Sequence, residues 1–232
     1  MAQVVVLDFD GVIVDSNRLK REAFVGLFPR TEETASLIRS VLDREGPKSR
    51  FDILRAILRA LGEPNGAVEE RVSYYAERYN EEVQRGIAGM GLIPGVGETL
   101  RTLSRAYPLY LNSGTYEPAL RESVANLNIT RFFRAVYGGP AAKADILRKI
   151  MAAEKVAGRE VAVIGDGEED RRSALECECL FIGVANEFNG WMAESFPLAS
   201  DLSSAVALIE SQSSDNPHGS SEGQDHRRGI HR

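Results

Sequence analysis

The run Val4–Val5–Val6–Leu7 leads straight into Asp8, and Asp10 and Gly11 follow. Four apolar residues on consecutive positions suit a strand covered on both faces, as in a parallel sheet. Asp and Gly are poor strand residues, so the strand stops where they begin. It therefore stops on two carboxylates side by side, which repel each other unless something offsets them. A metal cation is the usual offset. A fold that accepts this segment must bury the strand and deliver its carboxyl end to a polar site.

The rest of the chain repeats the pattern. "YPLYLNS", "RAVYGG", "EVAVIGD" and "LFIGVAN" also read as short strands, several apolar on consecutive positions. Helical periodicity separates them, over Gly97–Arg105, Glu117–Asn126, Ala144–Lys155 and Glu169–Glu176. Strand-helix alternation of this kind predicts an α/β fold, a Rossmann-like doubly wound parallel sheet with right-handed crossovers. One interval breaks the rhythm. From about Asn17 to Gln84 no convincing strand is evident, and four amphipathic segments follow one another with Gly or Pro at their ends. The predicted division is an α/β core over 1–16 and 87–210, a helical domain inserted over 17–86, and a disordered tail over 211–232. Ile230 is the only aliphatic residue of "SQSSDNPHGSSEGQDHRRGIHR", too little to offset the entropy of ordering it.

Several functions are excluded early. The net charge is -6 and no basic stripe stands out, which argues against nucleic acid and anionic membrane. No apolar run approaches the roughly 20 residues of a membrane span, and no signal peptide is visible, so a cytoplasmic location is the expectation. The only cysteines, Cys177 and Cys179, are too few for a metal site of their own and read as structural thiols. All three histidines, His218, His226 and His231, fall in the tail, which rules out histidine-based catalysis or ligation inside the fold.

In an open parallel sheet, ligands bind beyond the carboxyl ends of the strands. Those ends carry Asp8 and Asp10, then Asn112, Ser113, Gly114 and Thr115, then Lys143, then Asp166 with Glu168, Glu169 and Asp170. Acids, a hydroxyl and a lysine converge on one edge. A hard cation with oxygen ligands, bound partly through a substrate phosphate, fits this set. Without it, Asp8, Asp10 and Asp166 are expected to raise one another's pKa values.

Four motifs in order make a specific resemblance. "DFDGV" resembles the D-x-D-G motif of the haloacid dehalogenase (HAD) superfamily, "LNSGT" its second motif, "GGPAAKADIL" its lysine motif and "VIGDGEED" its G-D-x-x-x-D motif. The match covers nearly all of residues 3 to 210. It points to the branch with a helical cap after the first strand, which includes phosphoglycolate phosphatase-like enzymes and β-phosphoglucomutase. The resemblance implies that Asp8 is the nucleophile forming an aspartyl-phosphate. Asp10 would be the general acid and base. Ser113 and the Gly114 N–H would bind the phosphoryl group, and Lys143 would balance charge. Mg2+ would be held by Asp8, the Asp10 carbonyl and Asp166. Asp170 would orient Lys143 or a metal-bound water. Dehalogenases of this superfamily lack the second aspartate of the first motif, so Asp10 points to phosphate esters.

The inserted helices then read as a cap that closes over the substrate. "LDREGPKSRFDILRAIL" resembles the family's specificity loop, with Gly46 at the bend. Arg50 would reach an anionic or hydroxyl group of the substrate, or stand in solvent behind a helix cap at Ser49. Lys20 sits where related caps place a polar side chain near the site; Arg44 and Lys48 are weaker candidates. Asp15 and Ser16 look like the family's hinge, or cap the first inserted helix. Tyr74, Tyr75, Tyr79 and Trp191 read as packing residues. The function implied is a Mg2+-dependent phosphatase of a small phosphorylated metabolite, acting as a monomer or homodimer. A phosphomutase and a non-catalytic binding protein on the same fold are the alternatives.

Overall fold

The computed structural model describes residues 2–46 and 48–214. Six parallel strands form one sheet in the order β3-β2-β1-β4-β5-β6. They are β1 (Val4–Leu7), β2 (Leu109–Tyr116), β3 (Ala135–Gly139), β4 (Val161–Gly165), β5 (Leu180–Val184) and β6 (Leu198–Ala199). β1 is central, pairing Leu7 with Leu111 of β2 and with Ile164 of β4. Its consecutive apolar residues divide between two cores. Val5 and Leu7 join the larger one, and Val4 and Val6 pack with Leu147, Ile150 and Phe181 on the other face. Both faces are covered, as the sequence demands.

Helices α1 (Asn17–Gly26), α2 (Glu32–Glu45), α3 (Arg50–Ala60) and α4 (Asn65–Met90) follow β1 without an intervening strand. α2 and α3 begin at Thr31 and Ser49, whose side chains accept hydrogen bonds from Thr34 N and Asp52 N. α4 buries Val68, Val72, Ala76, Tyr79, Val83 and Ile87, one stripe at helical spacing. Tyr79 stacks on Phe24 with ring centroids 4.2 Å apart, and Tyr75 meets Phe28 at 4.5 Å. Tyr74 departs from expectation: it lies off the stripe and is 54% exposed. α4 also continues past Gly86, where the sequence reading ends it. A Cβ at Gly86 would lie 2.5 Å from Leu19 Cδ1, so this glycine lets α1 and α4 approach closely inside a helix. The true stop is Gly91, at φ 77°.

The chain returns through α5 (Val96–Ala106), α6 (Glu117–Asn126), α7 (Lys143–Glu154) and α8 (Glu168–Glu176), and closes with α9 (Leu202–Ser214). β6 and α9 are additions to the sequence reading. β6 has two residues, too short for a hydrophobic pattern, and α9 overlaps the stretch assigned to a tail from 211. The remaining tail, with its three histidines, lies outside the described residues. Cys177 and Cys179 are buried and unpaired with one another. Trp191 is half-buried, against Phe181 and Phe196. No helix among the described residues is long and apolar enough to cross a membrane.

Candidate active site

The strand ends bring the sequence-singled acids together, but each with different company. Asp8 follows β1, its backbone N–H donating to Ile164 O at 2.9 Å. Lys143, the first residue of α7, is buried and places Nζ 2.9 Å from Asp8 Oδ1 and 2.6 Å from Asp170 Oδ1. The start of α7 is tied to the sheet by Asn112, whose Nδ2 donates to Lys143 O at 3.0 Å. Asp170, in the first turn of α8, also accepts from Gly167 N at 3.2 Å. One buried ammonium is thus shared by two buried carboxylates.

Asp10 is held by a second set. Lys20 Nζ, reaching over from α1, lies 2.5 Å from Asp10 Oδ2. Thr115 Oγ1 donates to the same oxygen at 2.8 Å and accepts from Lys20 at 2.8 Å. Ser113 Oγ stands 3.5 Å from Asp10 Oδ2. Ser16 Oγ donates to Asp10 Oδ1. The Ser16 hydroxyl makes no cap bond to α1. Asp166 has a third set: Asn17 Nδ2 and Asn186 Nδ2 donate to its Oδ2 at 2.8 and 2.7 Å. Gly11 is obligatory here, at φ 73°, because a Cβ would sit 1.9 Å from Asp166 Oδ2.

Of the remaining candidates, Gly114 is exposed at the end of β2. Arg50 stands with its guanidinium 4.9 Å from the Phe51 and Tyr116 rings, and Tyr116 is the last residue of β2. Its Nε is buried without a partner. Arg44 and Lys48 instead pair with Glu45 at the surface, and Glu168 with Arg171. Ser16, Asn17, Thr115 and Asn186 gain contacts that the sequence reading did not assign. Asn186 ends the fifth apolar run, so the strand-end rule reaches it as well.

The electrostatics separate the acids. Burial, with Asp170 and Asp10 nearby, pushes Asp8 up to about 7 in spite of Lys143. Burial and the Asp8 charge push Asp166 up to about 6. Asp10 departs from the expected mutual rise. Burial pushes it up, but the Lys20 ammonium and hydrogen bonds from Lys20, Ser16 and Thr115 outweigh that and hold it below the usual carboxylate range. Burial alone would lower Lys143, but Asp170 and Asp8 keep it above the ordinary lysine range.

Asp8, Asp166 and Asp170 each offer a carboxylate oxygen within 4.8 Å of the others. Asp170 is engaged by Lys143, while Asp166 has no cationic partner among the described residues. Hard oxygen donors with surplus negative charge fit a divalent ion such as Mg2+ at Asp8 and Asp166. Metal-free protein should show the cost. A carboxyl whose pKa is raised on folding contributes stability below its unfolded pKa, about 4, and loses it as pH rises through the folded value. With folded values of about 7 and about 6 for Asp8 and Asp166, the melting temperature without metal should fall between pH 5 and pH 8. Excess Mg2+ should recover most of the loss at pH 8 and little at pH 5. Thermal melts with and without chelator check this, and a flat, Mg2+-insensitive profile would contradict it.

The profile of haloacid dehalogenase-like hydrolases matches residues 5–184. The chain belongs to this family. Three solved HAD-fold structures illustrate the likeness. A predicted phosphoglycolate phosphatase from Haemophilus somnus superposes with a TM-score of 0.71 at 14% identity, covering 90% of this chain and 98% of that one. A candidate HAD-hydrolase from Bacillus subtilis bound to magnesium gives 0.70 at 14% identity, covering 90% and 99%. A β-phosphoglucomutase from Clostridium difficile gives 0.68 at 18% identity, covering 93% and 98%. At these identities the likeness establishes the HAD fold and not an activity. No curated protein sequence matches this one.

Proposed function

We propose that this HAD-family chain is a Mg2+-dependent phosphatase acting on a small phosphorylated metabolite through an aspartyl-phosphate on Asp8. The observation that carries the reading is the unequal company of two neighbouring acids. Asp8 faces Lys143, and Asp10 faces hydroxyls and a cap lysine. A nucleophile needs a fixed counter-charge, and an acid-base group needs partners it can exchange.

Asp8 attacks phosphorus, and the bond from phosphorus to the ester oxygen breaks. Asp10 gives that oxygen a proton. Asp10 then takes a proton from the water that attacks phosphorus, the bond to Asp8 breaks, and inorganic phosphate leaves. Lys143 and Ser113 hold the phosphoryl oxygens. Bound at Asp8, Asp166 and the Asp10 carbonyl, Mg2+ supplies Lewis-acid stabilisation of the phosphoryl charge. With Lys20 on it, Asp10 is ionised, as the second step requires. When a leaving oxygen displaces Lys20, burial raises Asp10 again and favours the protonated acid.

Arg50 supports a substrate with a second anionic group. It has no carboxylate partner among the described residues, and its buried Nε lacks an acceptor. A carboxylate or a second phosphate would satisfy it bidentately. Purified protein with Mg2+ should therefore release phosphate from some members of a phosphometabolite panel, with compounds carrying a second anion preferred. Arg50→Ala should raise KM for those roughly 10- to 100-fold, the scale of a charged hydrogen bond. It should affect p-nitrophenyl phosphate far less. The same residue keeps a phosphomutase in view. Conversion of β-glucose 1-phosphate to glucose 6-phosphate with no free phosphate would overturn the phosphatase reading.

A further inference from the structure

Ser16 and Asn17 are the residues with which the chain leaves the sheet for the cap, and both turn back to core acids. Ser16 holds Asp10, and Asn17, the first residue of α1, holds Asp166. The contact is close-fitted: a Cβ on Gly11 would lie 1.9 Å from Asp166 Oδ2 and 2.8 Å from Asn17 Nδ2. Asn186 donates to the same oxygen, but from the loop after β5. Asn189 fixes that loop, its Nδ2 donating to Asp166 O at 3.0 Å and to Val184 O at 2.8 Å. Two amides thus grip Oδ2, one riding on the cap and one on the core. Oδ1 receives no donor among the described residues and is the oxygen left for a cation.

We propose that Asn17 is a positioning residue that couples the seat of the cap to the metal ligand Asp166. This rests on the reading of Asp166 as a Mg2+ ligand. Groups that orient a ligating side chain set metal affinity as well as geometry. With α1 seated, Asn17 and Asn186 together fix the carboxylate plane. With α1 lifted, Asn186 alone holds it, and the carboxylate is free to rotate about its side-chain bonds. Because coupling is reciprocal, Mg2+ binding must in turn favour the seated position of α1.

The test uses Mg2+ alone, without substrate. Calorimetric titration of the full chain should show Asn17→Ala binding Mg2+ about tenfold more weakly than wild type. Hydrogen exchange should show Mg2+ protecting the first turn of α1 in wild type. That protection should vanish in Asn17→Ala and persist in Asn186→Ala, which leaves the cap contact in place. Asn17→Ser keeps a side chain favoured at helix starts but falls short of Asp166, and should lose affinity equally while melting like wild type. Wild-type Mg2+ affinity in Asn17→Ala, or α1 protection that ignores Mg2+, overturns the coupling. Asp166→Ala separates the two failures. If it abolishes Mg2+ binding while Asn17→Ala does not weaken it, the ligand reading stands and the coupling falls. If wild type binds no Mg2+, both fall.

Discussion

Asp8→Asn should abolish turnover of p-nitrophenyl phosphate, lowering kcat by a factor on the order of 10⁵, the scale seen when a covalent nucleophile is lost. The replacement is isosteric. Its amide oxygen can still accept from Lys143, so the packing of the strand end survives. What it cannot do is attack phosphorus, because a neutral amide oxygen lacks the negative charge that makes the carboxylate a nucleophile. The same change should stabilise metal-free protein at pH 8. Burial already holds Asp8 up at about 7, so ionising it works against the fold, and Asp10, Asp166 and Asp170 are near enough to add repulsion. Activity and stability therefore move in opposite directions. A phosphate-release assay and a melt on the same preparation read both, and substantial turnover in the variant would sink the covalent mechanism.

Much of this was legible because one rule covers it. Consecutive apolar residues mark strands buried on both faces, and in such sheets the chemistry gathers beyond the carboxyl ends. Asp8, Asp10, Ser113, Lys143, Asp166 and Asp170 all come within that rule, and they do meet around one strand end. Asn186 obeys it too, but a neutral amide after a strand carries no charge signal of its own. Ser16 and Asn17 were harder. They read as hinge or helix start, and only the folded chain brings Asn17 to Asp166, 149 positions away. The sign of the Asp10 shift was out of reach for a similar reason. Three neighbouring acids suggest a mutual rise, yet Lys20 arrives from another element and reverses it. Helix periodicity placed the cap helices but not the end of α4. A glycine that stops a helix and one that lets Leu19 approach look alike in sequence. Tyr74 shows the complement. Of three tyrosines in six residues, Tyr79 lies on the apolar stripe, Tyr75 packs half-buried against Phe28, and Tyr74 faces outward.

Lys143→Met should destabilise the protein more than any other single change in the site. The ammonium is buried, and so are both carboxylates that it touches, Asp8 and Asp170. Removing one member of a buried charge group leaves the others without compensation, at about 3–5 kcal/mol. The loss should be larger at pH 8 than at pH 5, because Asp8, held up at about 7, is ionised at the higher pH and takes up a proton at the lower. Turnover should fall by about 10²–10³, the scale for one lost electrostatic donor in a desolvated site. Chemical denaturation at the two pH values measures the first effect and phosphate release the second. The double variant Lys143→Met/Asp170→Asn separates them. It removes the carboxylate that depends most closely on the lysine, and a neutral pair in place of a buried ion pair costs little. Stability should therefore return in large part while activity does not, because the phosphoryl group still lacks its cation. If Lys143→Met were as stable as wild type at pH 8, the lysine would not be what holds these acids in the fold. If the double variant regained turnover, the lysine would serve the fold and not the chemistry.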